Sequence, residues 1–312
     1  MSDRVSDGGD GVSADAPARV TVVVATRNRW EDLRVSLPHH APHPVVLVDN
    51  ASDDGTPDWV AEAFPDVRVV RLPRNAGAVA RNLGVELAAT PYVAFADDDS
   101  WWEPGALDLA AGLLDADPRL GLLAARILVG EDATLEPVCE QMARSALGTH
   151  DGEPGPRVLG FIACGAVVRR TAYLRAGGFD PVVFFAGEEE RLALDLAAHG
   201  WALCYAPDVV ARHVPSPSRD VAARHVRIAR NTMLTALMRR PWDVVARTAV
   251  RTSRTTHGVR GVLAAVPRVP AALGARHLLP PRVEADRLRL DEPHARHPAD
   301  LPGDPTAHGR VP

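Results

Sequence analysis

Short apolar runs alternate with amphipathic segments through the first third of the chain, and this alternation constrains the fold class. Four runs have the length of buried strands, at residues 20–25, 45–48, 67–72 and 91–96. The segments between them, at 30–37, 57–64 and 76–89, are predicted helices. Strands linked by helices at this spacing predict βαβ units, and hence an α/β fold with a mostly parallel central sheet flanked by helices.

Polar side chains stand at the ends of three of these strands. They are Thr26, Arg27 and Asn28 after the first strand, Asp49 after the second, and Asp97, Asp98 and Asp99 after the fourth. Because ligands of open α/β sheets bind at the carboxyl ends of the strands, we expect one shared site. Three adjacent carboxylates repel one another unless a cation or a ligand hydroxyl offsets the repulsion, although a solvated turn that caps the next helix also accommodates them.

The second half of the chain has a less regular pattern. Helices are predicted at 104–114 and 188–199, and strands within 120–129, 161–169 and 201–214. Residues 130–157 hold many Gly, Pro and acidic residues and are expected to form a mobile loop. From residue 219 to about residue 274 the pattern is helical and rich in Arg.

Composition excludes several classes of protein. With 312 residues, 46% of them hydrophobic, the chain can bury a sizeable core, and its net charge of -5 argues against bulk nucleic-acid binding. Cys139, Cys164 and Cys204 lie far apart and are expected to be buried thiols, neither a disulfide framework nor a zinc site. There is no apolar run long enough to span a bilayer and no apolar N-terminal segment, so we expect a cytoplasmic protein without a signal peptide.

Several motifs occur in an order that resembles family 2 glycosyltransferases of the GT-A fold. They are VVVATRNR (22–29), VDNASDDGT (48–56), RNAGAVARNLG (74–84), FADDDS (95–100), CGAVVRRTAYLRAGGFDP (164–181) and FFAGEEERLALDLAAHGW (184–201). The resemblance covers roughly residues 20–240. It implies a GT-A (nucleotide-diphospho-sugar transferase) fold that moves a sugar from a nucleotide diphosphate to an acceptor hydroxyl, usually with inversion.

We therefore expect four parts along the chain. Residues 1–18 are predicted to be a disordered leader, 19–240 the GT-A glycosyltransferase domain, 241–280 a C-terminal helical extension, and 281–312 a disordered tail. The basic amphipathic segment 219–240 can pack its apolar side on the sheet or lie on an anionic membrane surface. The second alternative would add peripheral contact with the inner face of the membrane.

The acidic motif corresponds to the DxD pattern of the family. The resemblance assigns Asp97 and Asp99 to its acidic positions, with Asp97 or Asp98 contacting the ribose and Asp99 the metal. Because three acids occur in a row, the register stays open by one residue. Carboxylate oxygens suit Mg²⁺ or Mn²⁺, and either ion would neutralise the departing diphosphate. The resemblance also implies His213 as a metal ligand and Arg219 as a contact of the diphosphate.

The remaining strand ends are expected to bind the nucleotide. By resemblance, Asp49 accepts a hydrogen bond from a pyrimidine imide, which favours a UDP or dTDP sugar, although an Asp here can also simply form a turn. Thr26, Arg27 and Asn28 are expected to lie against the base or the ribose.

The third helix and a later strand are expected to complete the donor site. Asn75 and Gly77 open a helix whose N-terminus suits an anion. Arg81, one turn in, can reach a phosphate, pair with an Asp of the acidic motif, or lie at the surface. The residues expected near the donor sugar are Cys164, Gly165 and Trp102, with Trp101 as the alternative ring for stacking.

A carboxylate must remove the proton of the acceptor hydroxyl in an inverting transfer. The family usually supplies it from a Glu-Asp pair after a Gly, and Glu189 stands here where Asp is usual. Glu189 shares a helical stripe with Leu192 and Leu196, which favours it over Glu188 as the base. Glu188 is then expected to orient the acceptor or to act as the base itself. The alternative without a catalytic role is that these acids only stabilise the N-terminus of the helix through its dipole.

Two other functions stay open at this point. A nucleotidyltransferase also uses an acidic metal site beside a parallel sheet, but it normally has a Gly-rich phosphate loop after the first strand, where this chain has Ala25 to Asn28. A non-catalytic nucleotide-sugar-binding protein is the second alternative. For the enzyme, the expected acceptor is a glycan, a lipid-linked sugar or a small molecule with a free hydroxyl, as in cell-wall or polysaccharide and glycolipid assembly.

Overall fold

A mixed nine-stranded sheet flanked by helices forms the centre of the protein in the computed structural model, which describes residues 17–215 and 221–292. The strands are β1 Val20–Thr26, β2 Val45–Asp49, β3 Arg68–Arg71, β4 Tyr92–Ala96, β5 Ser100–Trp102, β6 Leu120–Val129, β7 Thr134–Leu135, β8 Ala166–Arg169 and β9 Ala202–His213. The helices are α1 Trp30–Ser36, α2 Thr56–Ala63, α3 Ala80–Leu87, α4 Ala106–Ala116, α5 Pro137–Ala143, α6 Arg170–Arg175, α7 Glu188–Ala198, α8 Val221–Arg239, α9 Trp242–Thr252, α10 Thr256–Ala265, α11 Val269–Gly274 and α12 Pro281–Asp291.

The first four strands are parallel, in the order β3-β2-β1-β4. Their register places Thr26 opposite Asp49 on one side of β1, and Val24 opposite Ala96 on the other. The three carboxylates that follow Ala96 therefore lie at the same sheet edge as the ends of β1 and β2. This part of the sheet confirms the predicted βαβ architecture.

The other half of the sheet is mixed, which differs from the mostly parallel arrangement expected. β8 is antiparallel to both β4 and β6, while β9 is parallel to β6 and antiparallel to β5. The pairing of β5 with β9 sets Ser100 opposite His213. The end of the last strand is thereby brought beside Asp99, although more than a hundred residues separate them along the chain.

Three segments differ from the expectations. The loop expected at 130–157 contains β7 and α5, because Cys139 and Met142 bury apolar side chains that the surrounding Gly and Pro residues obscure. The strand expected at 161–169 is shortened to β8 by a 3₁₀ turn at Ala163–Gly165. The first part of the tail expected to be disordered, at 281–312, forms α12, which buries Val283 against α7, and residues 293–312 lie outside the described residues.

The C-terminal helices pack on the sheet domain through two small cores. Val183 joins the buried faces of α8, α9, α10 and α11 in one core, and Leu194 of α7 joins Leu279 and Val283 in the other. The apolar side of α8 is therefore packed, as one of the two alternatives for segment 219–240 predicted. Within 17–215 and 221–292, no helix has both the length and the apolar character that crossing a bilayer requires.

Candidate active site

A cavity of about 360 Å³ opens at the carboxyl edge of β1, β2 and β4. Seven of the residues predicted for the nucleotide sugar line it, namely Thr26, Arg27, Asn75, Gly77, Arg81, Asp97 and Asp98, and so does Asp99, which was predicted as a metal ligand. Its volume is in the range of small-molecule sites. The structure thus brings the polar strand ends together as the strand pattern predicted.

The three carboxylates of the acidic motif are held close together by hydrogen bonds to neighbouring elements. The Thr26 hydroxyl donates to Asp98 Oδ2 at 3.1 Å, and the Ser100 hydroxyl accepts from the Asp97 backbone N–H at 2.7 Å. Burial, together with the charges of Asp99 and Asp97, raises the pKa of Asp98 to about 8. Burial is the larger cause of this rise and repulsion by the neighbouring carboxylates the second, and a bound cation would relieve the repulsion.

The candidate metal ligands converge next to this cluster. One ligand atom each of Asp97, Cys164 and His213 lies within 4.8 Å of the others, and His213 Nε2 is 3.3 Å from Asp99 Oδ1. Burial raises the pKa of the Cys164 thiol well above its usual value, and sulfur is a soft ligand that suits Mg²⁺ and Mn²⁺ less well than oxygen does. The carboxylates and the imidazole that remain fit Mn²⁺ or Mg²⁺.

Arg81 links the acidic motif to the start of α7. It is 5% exposed, which excludes the surface alternative. Its Nη2 donates to Asp97 Oδ1 at 2.5 Å, and its Nη1 lies 4.0 Å from Glu188 Oε1. A single buried guanidinium therefore balances carboxylates from two distant segments of the chain.

The two candidate bases occupy different environments at the N-terminus of α7. Glu188 is 3% exposed and faces Arg81, whereas Glu189 is half-buried. Burial raises the pKa of both carboxyls, and the charges of Arg81 and Arg224, which line the cavity, oppose this rise at Glu189. Leu192 is fully buried, as the stripe argument required.

The stripe argument alone does not separate the two acids. Leu194 and Asp195, on other sides of α7, are buried as well, so the helix is enclosed all round. Burial of Leu192 and Leu196 therefore does not single out one inward face. What separates Glu188 from Glu189 is the ion pair with Arg81 and the difference in exposure.

Several residues that line the cavity were not predicted. They are Ala25, Arg29, Asn50, Phe184, Phe185, Arg224 and Arg227. Arg224 and Arg227 lie at i and i+3 on α8, so their common face was readable from the basic helical pattern. Asn50 was present in a quoted motif, and it joins the β2 end to the α3 approach by accepting from Ala76 N–H and donating to Gly77 O.

The turn before α7 explains why residue 77 is Gly. Gly77 has φ +62°, and a Cβ there would lie 2.6 Å from the Phe184 carbonyl oxygen. That oxygen accepts a hydrogen bond from Ala78 N–H at 2.9 Å. Phe184 itself has φ +73°, an uncommon conformation for a bulky residue. The close approach therefore fixes one wall of the cavity.

Some predicted donor contacts have other partners in the structure. The Asp49 carboxylate accepts from the Ser52 backbone N–H at 3.1 Å and from its hydroxyl, so it does form the turn considered as the alternative. Asn28 has φ +55° and donates to Asp53 Oδ1 at 2.8 Å, which ties the ends of β1 and β2 together. Neither residue lines the cavity.

The expected sugar-side residues require correction. Trp102 is 3% exposed and belongs to the main core, so the expected stacking contact is wrong for this ring, while Trp101 stacks on His39 at 4.6 Å between ring centroids. Gly165 packs against Ile127, whose side chain would be 2.6 Å from an added Cβ, and so it serves the core. Arg219 lies outside the described residues.

Comparisons with known proteins agree with this geometry. Residues 21–175 match the family described as Glycosyl transferase family 2. The N-acetylglucosaminyl-diphospho-decaprenol L-rhamnosyltransferase of Mycobacterium tuberculosis is 27% identical over 230 residues, which are 61% of this chain and 75% of that protein.

Two solved structures share the fold. The mannosyltransferase from Pyrobaculum calidifontis in complex with GDP-Man and Mn²⁺ has a TM-score of 0.54 and 25% identity, with 88% of this chain and 75% of that chain covered. S. aureus TarS 1-349 in complex with UDP-GlcNAc has a TM-score of 0.55 and 17% identity, with 87% and 85% covered. The fold is thus GT-A, and the chain belongs to glycosyl transferase family 2.

Proposed function

We propose that the protein transfers a sugar, with inversion, from a UDP or dTDP sugar to a hydroxyl group of a lipid-linked or polysaccharide acceptor in cell-wall assembly. The observation that carries this proposal is the charge of the cavity lining. Three adjacent carboxylates share the cavity with Arg27, Arg224 and Arg227. A nucleotide diphosphate with a divalent ion attached is complementary to both, because the ion meets the carboxylates and the phosphates meet the guanidinium groups.

Asp99, Asp97 and His213 would hold the Mg²⁺ or Mn²⁺ ion, which supplies charge neutralisation for the departing diphosphate. Asp98, which accepts a hydrogen bond from the Thr26 hydroxyl, is proposed as the contact of the ribose, with Asp97 as the alternative. Support for a metal of this kind comes from the Mn²⁺ bound by the Pyrobaculum mannosyltransferase.

Glu189 is the proposed general base. It accepts the proton of the acceptor hydroxyl as the oxygen forms a bond to the sugar C1 and the bond from C1 to the diphosphate oxygen breaks. The electron pair of that bond leaves on the nucleotide diphosphate. Neither acid lines the cavity, and Glu189 is chosen because it is the more exposed of the two. Glu188, whose Oε1 lies 4.0 Å from Arg81 Nη1, is proposed as a positioning residue.

The donor class rests on Asp49. Asp49 is buried and lies outside the cavity lining, so its contact with a pyrimidine imide is proposed from the family resemblance alone. Its carboxylate offers about four acceptor sites, of which the backbone N–H and the hydroxyl of Ser52 occupy two. Relatives of this fold bind both GDP-Man and UDP-GlcNAc, so the nucleotide has to be measured. The acceptor proposal follows the decaprenol-linked acceptor in the name of the mycobacterial relative, and it includes a cytoplasmic location with peripheral membrane contact.

Calorimetric titration tests the proposal directly. We expect UDP or dTDP, and not GDP, to bind in the presence of Mn²⁺ and to lose affinity in its absence. Asp99→Asn should lose the Mn²⁺-dependent part, whereas Asp108→Asn, an exposed acid on α4, should not. Absence of binding by any nucleotide would refute the donor site, and binding without sugar transfer to any acceptor would favour a non-catalytic nucleotide-sugar-binding protein.

A further inference from the structure

The C-terminal helices carry a charge opposite to that of the chain as a whole. Residues 221–280 contain eleven Arg and one acidic residue, Asp243, within a chain of net charge -5. Buried Arg239 and Arg240 pair with Asp195 and Glu284. Others, including Arg254 and Arg260, are exposed on or beside α10. This end of the molecule therefore presents a cationic surface.

Apolar side chains are exposed in the middle of this cationic region. Val259, Leu263 and Val266 are 42%, 64% and 59% exposed. They stand at i, i+4 and i+7, so they form one stripe along α10 and the turn that follows it, here called the outer stripe. Val250 on the preceding helix is 66% exposed as well.

The outer stripe faces away from the protein because another side of α10 packs against α8. Gly258, Gly261 and Ala265, at i, i+3 and i+7, are the buried residues of α10. At Gly261 an added Cβ would lie only 2.5 Å from the Ala229 Cβ. This close helix contact needs a glycine, and it directs the apolar stripe to the outside.

A groove of about 540 Å³ between α9 and α12 continues this surface. Arg247, Arg251 and Arg254 line it together with Val250, Leu288 and the acidic Asp291. Arg251 pairs with Asp291 at 3.4 Å and Arg247 with Asp243 at 2.9 Å, so Arg254 adds the positive charge that these pairs do not balance. Guanidinium groups around an apolar groove match a phosphate head group whose acyl chain lies below it. Cationic and apolar features thus occur together on one side of the helical extension.

We propose that α9, α10 and the turn after α10 lie on an anionic phospholipid bilayer, with the outer stripe in the interfacial layer and the exposed Arg residues on the lipid phosphates. We infer an anionic bilayer from charge complementarity. Exposed apolar side chains flanked by Arg gain free energy from burial in the interfacial layer and from attraction to anionic lipids. The part of the molecule that binds lipid is therefore the helical extension, and α8, whose apolar face is packed, is not.

The position of this surface suits a membrane-borne acceptor. Arg268, directly after the outer stripe, donates to Val182 O at 2.7 Å and lies over the Phe184 ring at 5.8 Å, and Phe184 lines the cavity. α10 packs on α8, and Arg224 and Arg227 of α8 line the cavity. This consequence for the acceptor rests on the proposed function, whereas lipid binding itself does not.

Co-sedimentation of the full chain with vesicles tests the proposal. We expect binding to phosphatidylcholine vesicles that contain phosphatidylglycerol, little binding to pure phosphatidylcholine, and weakening by salt. Leu263→Ser should weaken partitioning about tenfold, and Arg254→Gln and Arg260→Gln about fivefold each. Matched controls are Val35→Ser, at an exposed site on α1, and Arg175→Gln on α6, which should bind as the wild type does.

Several outcomes would overturn the proposal. These are no sedimentation with anionic vesicles, equal binding to neutral ones, or equal loss in the Val35→Ser control. A concentration-dependent dimer that Leu263→Ser dissolves, without vesicle binding, would assign the outer stripe to a second copy of this chain. Nucleotide titration of Leu263→Ser separates the two proposals, since donor affinity should be unchanged whether or not lipid binds.

Discussion

Arg81 provides the sharpest test of the site, because one buried guanidinium serves two carboxylates. Replacing it by Met keeps most of the side-chain volume but leaves Asp97 and Glu188 without their cation. At the 4.0 Å separation of Arg81 Nη1 and Glu188 Oε1, an effective dielectric constant of about 20 gives an attraction of about 4 kcal/mol. Removal of one partner from other buried ion pairs costs about 3–5 kcal/mol, so the two values agree.

The pH dependence has a definite sign. Burial raises the folded-state pKa of Glu188 to about 8, so the folded protein holds a proton that the unfolded chain releases near its ordinary pKa. Stability therefore falls as the pH rises from the unfolded value towards about 8, and then levels off in the wild type. Without Arg81 the Glu188 pKa rises further, so Arg81→Met should continue to lose stability above that pH.

A double-mutant cycle in urea, with a chelator present and at about pH 9, measures the pair. In the Glu188→Gln background, Arg81→Met should cost less, and the difference is the coupling free energy. Arg34→Met is the control, since its exposed pair with Glu31 should contribute less than about 1 kcal/mol. A coupling below about 0.5 kcal/mol, or a loss of stability that does not change with pH, would refute the reasoning.

Three further changes test the remaining parts of the site. Glu189→Gln should lower kcat about 10²–10⁴-fold while nucleotide affinity, measured by calorimetry, stays unchanged. The control is Glu62→Gln, at an exposed position on α2, which should leave kcat unaltered. Full turnover by Glu189→Gln would refute the base assignment. Gly77→Ala should weaken nucleotide binding by displacing the Phe184 wall, whereas Gly55→Ala, also at positive φ but with open space around it, should cost only about 1–2 kcal/mol of stability in urea titration. Equal nucleotide affinity in both Gly variants would contradict the steric argument. Chelation of the metal should lower the thermal midpoint of the nucleotide complex in the wild type and leave it unchanged in Asp99→Asn.

The parts of the fold that were predicted correctly are those with a local signal. The strand ends at Thr26 and Asp97 could be predicted from the spacing of the apolar runs and the polar residues that follow them. Parallel strands joined by helices align their carboxyl ends, so these residues were expected at one sheet edge. The mixed half of the sheet was not readable in this way, since the pairing of β5 with β9 joins segments far apart along the chain. Resemblance to a family, and no local pattern, placed His213 near the acids.

The residues that were misplaced failed for physical reasons that sequence alone hides. Trp102 and Trp101 are adjacent on a short strand and point to opposite sides, so composition could not say which one is buried. Gly165 is small because Ile127 fills the space beside it. α12 is polar and begins with prolines, features shared by disordered tails, and the contacts with α7 and Arg240 that stabilise it cannot be seen in the local sequence.

The last described helix, α12, contacts the first turn of α7, where the proposed base Glu189 lies. Arg287 of α12 donates at 2.8 Å to Glu190, the residue that follows Glu189. Glu284, also on α12, accepts a hydrogen bond from Arg240 at 2.7 Å. Loss of Glu284 and Arg287 would remove the ion pair between buried Arg240 and Glu284 and the hydrogen bond that holds Glu190 in the first turn of α7. We therefore expect α12 and the sheet domain to unfold together, so that substitutions in α12 should slow sugar transfer as well as lower the free energy of unfolding.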